Sequence, residues 1–152
     1  MNKNNKKKAK AVIYTRTATV EKNSQQIIKD QEKLCRNYAR KNGYCIVKKF
    51  TDMGASGLNF DNNPGMNKLL DYLKKNKGNN LTVIVTGIDR LSRNGKQTQK
   101  IIKEFGKSGV SVVFANQNIS LEIKIPNYML SLTSLHRRTL MRRISGGKKK
   151  NK

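Results

Sequence analysis

The stretch LTVIVTGIDRLSRN, residues 81–94, decides how this chain folds. Its first part, residues 81–88, is apolar almost throughout, as expected of a parallel strand covered by helices on both faces. The polar part begins with Asp89, and either Asp89 or Ser92 is predicted to cap a helix that reaches Phe105. The stretch therefore predicts a buried central strand that leads directly into a group of charged residues.

Short apolar runs and amphipathic segments alternate along the rest of the chain. Strands are predicted at 11–14, 44–50 and 110–114. Helices are predicted from Ser24, as the N-cap, to Gly43, and again over 64–75. Strands separated by helices of this length form parallel sheets. The pattern predicts an α/β fold with a mainly parallel sheet of four to five strands, with helices on both faces.

A long C-terminal helix is predicted after the sheet. Pro126 opens it, it covers about 127–144, and Gly146 and Gly147 end it. Its apolar residues recur at helical spacing, which is typical of a helix that buries one face. That face either serves a partner chain or packs on the protein's own core, and the sequence does not distinguish the two.

Composition limits the classes of protein that this chain can represent. Its 152 residues make one domain, and 33 Lys and Arg against 9 Asp and Glu give a net charge of +24. No apolar stretch is long enough to span a membrane, and the N-terminus lacks the apolar core of a signal peptide. We therefore expect a cytoplasmic protein, nucleoid-associated if bacterial. Cys35 and Cys45 are expected to be free thiols rather than a zinc site or a disulfide.

The positive charge is concentrated at the two ends of the chain, which favours nucleic acid as the partner. We divide the chain into a basic arm expected to be disordered (1–10), a main α/β domain (11–122), the C-terminal helix (123–146) and a basic tail (147–152). The alternative explanation is that the N-terminal lysines have no binding role and reflect the high Asn and Lys content that an AT-rich genome produces. Candidate DNA contacts near the C-terminus are Arg137, Arg138, Arg142, Arg143, Lys148, Lys149 and Lys150.

Candidate site residues follow two of the predicted strands. Arg16 comes after the first strand, and Asp89, Arg90 and Arg93 come after the central one. The carboxyl ends of parallel strands meet at one edge of a sheet, so these residues are predicted to converge there. Three guanidinium groups at one point favour a bound anion, and their planar fork suits phosphate. Asp89 would cap a helix, orient an arginine or donate a proton.

These residues belong to a longer pattern with a family resemblance. Tyr14-x-Arg16-x-x-Thr19, Asp52-x-Gly54-x-Ser56-Gly57, Asn63-Pro64-Gly65-Met66 and the segment 89–94 resemble the catalytic domain of serine recombinases, the resolvase/invertase and large serine integrase family. Order and spacing match over about 11–119. The resemblance implies a resolvase-like fold, DNA as the partner, no metal or cofactor, and a final helix that dimerises and lies across DNA.

In that family a serine hydroxyl attacks a DNA phosphodiester, and arginines stabilise the pentacovalent phosphate. By position, Arg16, Asp89, Arg90 and Arg93 correspond to active-site residues, and Gln31 to a glutamine common in the first helix. The nucleophile position, however, holds Ala18, and the arginine that precedes Pro-Gly is replaced by Asn63. A methyl group cannot attack phosphorus, so strand cleavage is expected to be impaired or lost.

Three functions remain open at this point. The first is a DNA-binding domain of recombinase descent that has lost cleavage and forms a homodimer, a higher oligomer or a complex with a full-length recombinase. The second is an active enzyme that uses Thr17 or Thr19, although side chains next to Ala18 in an extended segment would point away from its direction. The third is a basic protein that coats nucleic acid. Because no separate DNA-reading module is recognised before Lys152, binding is expected to be sequence-tolerant.

Overall fold

A computed structural model describes residues 7–55 and 62–116 of the chain. Four strands and four helices alternate in this part. In chain order they are β1 (Ala9–Arg16), α1 (Ser24–Asn42), β2 (Tyr44–Asp52), α2 (Pro64–Lys75), β3 (Thr82–Val85), α3 (Ile88–Leu91), α4 (Gly95–Lys107) and β4 (Ser111–Phe114). The predicted C-terminal helix, His136, the candidate DNA-contacting residues 137–150 and most of the basic arm lie outside the described residues.

The four described strands form one fully parallel sheet in the order β2-β1-β3-β4. β1 and β3 are the inner pair, and every residue of β3 is buried. This confirms the prediction of a central parallel strand within 81–88, although the strand itself is limited to Thr82–Val85. The predicted α/β fold with a parallel sheet is therefore confirmed for the described residues.

Helices cover both faces of the sheet, as predicted. The larger core joins α2 and α4 to one face through residues that include Val12, Tyr14, Leu69 and Phe105. The smaller core joins α1 to the other face around Ala11, Ile13 and Cys35. Neighbouring residues of β1 thus belong to opposite cores, because side chains alternate along a strand.

The order of the strands explains why the helices lie on both faces. The chain moves one way in the sheet from β1 to β2 and the other way from β2 to β3. Right-handed crossovers in opposite directions place their helices on opposite faces.

Several predicted boundaries are corrected by the structure. β1 begins at Ala9, inside the predicted basic arm, because Ala9 pairs with Tyr44 of β2. Ser24 is the first residue of α1 rather than its N-cap, which is Asn23. The Ser24 hydroxyl accepts from the Glu21 amide and donates to the Thr19 carbonyl, so it folds the preceding loop.

The helix after the central strand also begins later than predicted. α4 starts at Gly95, and its N-cap is Asn94, whose side chain accepts from the Lys96 amide. Neither Asp89 nor Ser92 caps it. Residues Ile88–Leu91 form the short helix α3, which ends where the Ser92 amide donates to the Ile88 carbonyl. One continuous helix was predicted, whereas the chain forms the short helix α3 and then begins a second helix, α4, at Gly95.

Both cysteines are free thiols, with Cys35 buried and Cys45 exposed. Burial raises the pKa of the Cys35 thiol to about 12. Among the described helices, none combines the length and apolar character needed to cross a membrane.

Candidate functional site

The candidate site lies where β1 and β3 run side by side and their connections leave in opposite directions. In an open parallel sheet this arrangement opens a crevice at the carboxyl ends of the strands. Arg16 is the last residue of β1, and α3 follows β3 after two residues. The two predicted groups of site residues therefore meet at the same edge of the sheet.

Arg16 is 1% exposed, and its side chain is the centre of this edge. Its Nη2 donates to the Asp89 carbonyl at 2.7 Å, and its Nε donates to the Arg90 carbonyl at 3.2 Å. Its Nη1 donates to the Ala55 carbonyl at 2.9 Å. One guanidinium thus joins the end of β1 to α3 and to the loop after β2. Of its five N–H groups, three serve the protein's own backbone, leaving two.

The backbone of Arg16 is held just as closely as its side chain. The Gln31 side chain donates to the Arg16 carbonyl at 2.9 Å and accepts from the Arg16 amide at 3.1 Å, like an additional strand residue. Nη1 of Arg90 donates to the same carbonyl at 3.2 Å. Gln31 is buried, and this pair anchors α1 to the end of β1.

Arg90 and Arg93 carry the positive charge that faces outward. Arg90 is partly exposed, with its Nε 4.0 Å from the Asp89 carboxylate, and Arg93 is exposed. Burial lowers the pKa of the Arg16 guanidinium, and the nearby charges of Arg90 and Arg93 lower it further. The structure thus brings the three predicted arginines and Asp89 together. Arg16 organises the backbone, whereas Arg90 and Arg93 are accessible to an anion.

Position 18, where the family pattern has its nucleophile, lies in a bend beyond the end of β1. Ala18 is partly exposed there, and Thr17 beside it is 4% exposed. The Thr17 hydroxyl donates to the Thr19 carbonyl at 3.1 Å and accepts from the Gly54 amide at 3.3 Å. An extended segment was expected here, with the side chains of Thr17 and Thr19 pointing away from that of Ala18. This expectation is wrong, because β1 ends at Arg16 and residues 18 and 19 form a bend. Thr17 instead points inward because its hydroxyl ties two loops together.

Asn63, at the position of the missing arginine, is 1% exposed and precedes α2. Its side chain hydrogen-bonds the Tyr14 hydroxyl. That hydroxyl donates to the Asp52 carboxylate at 2.7 Å. Burial and the neighbouring carboxylate raise the pKa of Tyr14 far above its usual range, so the phenol stays protonated. Asn63 is therefore part of a buried polar group behind the crevice and supplies no charge to it.

Asp52 was predicted only as part of a motif, and the structure shows what it does. Its two carboxylate oxygens accept from the Gly65 amide at 2.6 Å and the Met66 amide at 2.8 Å. These amides belong to the first turn of α2, whose N-cap residue makes no side-chain cap bond. A carboxylate at this position satisfies amides that have no partner within the helix and interacts favourably with the helix dipole.

Gly65 is required by the close approach of α2 to β2. A Cβ at this position would lie 2.4 Å from the Thr51 carbonyl oxygen and 2.9 Å from Cγ of Asp52. We expect Gly65→Ala to lower the free energy of unfolding by about 2 kcal/mol, because backbone atoms must move to make room. Urea unfolding measures this change. Gly95→Ala is the matched control, since no atom lies within 4 Å of its Cβ position, and an equal loss in both variants would contradict the prediction.

Sequence reasoning missed three contributors to this edge. They are the Ala55 carbonyl, the side-chain amide of Gln31 as the partner of the Arg16 backbone, and the capping role of Asp52. The last had no sequence signal either, because Asn63 before Pro64 is itself a good capping residue and only the structure shows that its side chain makes no cap bond. The other two depend on contacts between distant parts of the chain. Within the described residues, no group of three or more His, Cys, Asp or Glu side chains is placed to hold a metal ion.

The fold and this edge define a parallel α/β domain with an arginine-lined crevice at the switch point of its sheet. Its sequence matches the family model described as resolvase, N-terminal domain, over residues 11–152. The chain belongs to this family, which comprises the catalytic domains of serine recombinases.

Solved structures agree with this assignment. The N-terminal catalytic domain of TP901-1 integrase is 27% identical, with a TM-score of 0.67 over 88% of this chain and 96% of that chain. The C-terminal catalytic domain of ISC1926 TnpA, an IS607-like serine recombinase, is 30% identical, with a TM-score of 0.60 over 71% and 70%. A resolvase family recombinase from Streptococcus pneumoniae, 20% identical with a TM-score of 0.67 over 92% and 95%, shares the fold. The comparison with curated proteins found no match.

Proposed function

We propose that this domain binds DNA at the arginine edge of its sheet and does not cleave it. The observation that carries the proposal is the chemistry at position 18. Ala18 has no atom that can form a bond to phosphorus, and the hydroxyl of Thr17 is buried and hydrogen-bonded on both sides. Nucleophilic catalysis requires a free hydroxyl in line with the scissile bond.

The arginines that are present at the crevice support DNA binding. Arg90 and Arg93 keep their positive charges at the accessible side, and Arg16 holds the backbone that carries them. Guanidinium groups contact phosphate through paired N–H donors, and such contacts need no nucleophile. Loss of the nucleophile therefore leaves the capacity to bind a phosphodiester in place.

The rest of the proposal concerns partners and location. The predicted C-terminal helix would join two copies of this chain, or this chain and a full-length recombinase, and residues Arg137, Arg138, Arg142 and Arg143 would add contacts to DNA phosphates. A domain of this kind would act in the cytoplasm, at the nucleoid if bacterial. It needs no cofactor for binding.

DNA binding through the arginine edge is tested with Arg90→Ala/Arg93→Ala and a short mixed-sequence duplex. We expect the double variant to weaken binding at least 10-fold and to lower the slope of log K against log salt by about 2, since two phosphate contacts are removed. Fluorescence anisotropy over a range of salt concentrations provides both values. Deletion of 147–152 should weaken binding less.

A protein that merely coats nucleic acid predicts the opposite order. In that case the double variant binds like the unmodified protein and only the tail deletion weakens binding. An enzyme that uses a threonine predicts a further result: a detergent-resistant adduct with supercoiled DNA that contains phosphothreonine. Either result would overturn the proposal.

A further inference from the structure

A second basic surface lies outside the arginine edge, between the edge strand β2 and helix α2. It is a cleft of about 690 Å³. From α2, the residues Lys68, Asp71, Tyr72 and Lys75 line it at the spacing of one helix face. From β2, Lys48 and Phe50 line it. We call this surface the lysine cleft.

The ammonium group of Lys48 is held in place within the lysine cleft. Its Nζ lies 4.9 Å from the centre of the Tyr72 ring and 5.5 Å from the centre of the Phe50 ring. The two rings are tilted at 55° to each other with centres 5.6 Å apart, so the ammonium group contacts two separate ring faces. A cation held by two rings is stabilised by their negative faces and loses less freedom on binding an anion.

The positive charge of the lysine cleft is not neutralised by the protein. Salt bridges in the described part of the chain join Glu32 to Arg36 and Lys49, Asp89 to Arg90, and Glu104 to Lys107. None of them includes Lys48, Lys68 or Lys75. By contrast, the basic face of α1 contains Glu32, whose carboxylate pairs with two cations. Asp71 is the one acid that lines the lysine cleft, against three unpaired lysines.

The lysine cleft begins beside the arginine edge. Pro64 and Gly65 form part of its wall, and the Gly65 amide binds the Asp52 carboxylate. Asp52 in turn lies opposite Arg16 in the register of β1 and β2. From this end the lysines continue down α2, where Lys68 and Lys75 are two turns, or about 10 Å, apart. Measured along the axis of a DNA duplex, this distance corresponds to about three phosphates of one strand.

We infer that the lysine cleft binds the phosphate backbone of DNA and extends the contact made at the arginine edge along the side of the domain. This inference rests on the proposed function, because it supplies the path for a duplex already held there. The lysines act as point charges on phosphates and read no sequence. A nucleic-acid backbone fits the row of charges, because its phosphates are spaced along a line.

The test compares Lys68→Gln/Lys75→Gln with Lys100→Gln/Lys103→Gln on the same mixed-sequence duplex. Both variants remove two exposed positive charges from a helix surface, and glutamine preserves helix propensity. We expect the cleft variant to weaken binding about 10-fold and to lower the slope of log K against log salt by about 2. The control variant on α4 should change the slope by less than half as much.

A second variant removes the fixed charge alone. Lys48→Met keeps an unbranched stem over the two rings but has no ammonium group. We expect it to lower the salt slope by about 1. Equal effects of the cleft and control variants, or an unchanged slope in Lys48→Met, would show that net charge alone matters and would overturn the inference. In that case the loss of binding in Arg90→Ala/Arg93→Ala would still stand, so failure of the lysine cleft is distinguishable from failure of the proposed function.

Discussion

Replacing Ala18 by serine is expected to produce a covalent protein–DNA adduct that the unmodified chain does not form. Serine adds a single oxygen at a partly exposed position, two residues after the Arg16 carbonyl to which Nη1 of Arg90 donates. In the reaction of the family, the Oγ–phosphorus bond forms, the bond from phosphorus to the DNA 3′-oxygen breaks, and the hydroxyl proton ends on that oxygen. The atoms needed for this exchange are present once the hydroxyl is restored.

The restored reaction should be slow, because Asn63 supplies no charge. Removal of one donor from a developing oxyanion costs roughly 3 kcal/mol, or about 100-fold in rate. Denaturing gels with labelled supercoiled DNA detect the adduct, and mass spectrometry identifies phosphoserine at position 18. The control Ala18→Ser/Arg90→Ala should form much less adduct.

Two outcomes would contradict this account of the site. An adduct formed by the unmodified chain through Thr17 or Thr19 would show that cleavage is retained. No adduct from a folded, DNA-binding Ala18→Ser variant would show that more than the nucleophile has been lost. In the second case the arginine edge would serve binding alone.

Replacing Arg16 by methionine should lower the free energy of unfolding by about 4 kcal/mol. The substitution preserves side-chain length but removes the donors to three carbonyls, those of Ala55, Asp89 and Arg90. A buried acceptor left without a partner costs about 1–3 kcal/mol. Domains of this kind have a total stability of about 5–15 kcal/mol, so this single change removes a large part of it.

Urea unfolding measures the effect, with Arg93→Met as the matched control. Arg93 is exposed, so its replacement should change stability by about 0.5 kcal/mol at most. Similar small changes in both variants would contradict the structural role of Arg16. They would leave phosphate binding as its main task, which is the role that the sequence pattern alone suggested.

The family pattern predicted which residues lie together at this edge of the sheet but not how their contacts differ. Arg16, Arg90 and Arg93 look equivalent in the sequence, since each is an arginine near the end of a strand. Their burial separates them: Arg16 is 1% exposed and Arg93 is exposed. Burial depends on the loop that carries Ala55 and on α3, which come from other parts of the chain. No local pattern contains that information.

Helix boundaries show the same limit on a smaller scale. The apolar spacing of 98–105 predicted α4 correctly, but its start was placed too early because Asp89 and Ser92 are both good capping residues. In the structure the short helix α3 precedes α4 in the chain, because the carbonyls of Asp89 and Arg90 accept hydrogen bonds from Arg16. A long-range contact thus decided between several equally good local signals.

The amino-acid sequence alone determined the parallel α/β fold, the alternation of its strands with the longer helices along the chain and the absence of a nucleophile at position 18, because periodicity and residue chemistry are local properties. Only the tertiary structure decided that Thr17 is occupied, that Asp52 caps α2 and that Lys48, Lys68 and Lys75 share one cleft. Those facts depend on which distant segments meet when the apolar faces of the helices pack on the sheet.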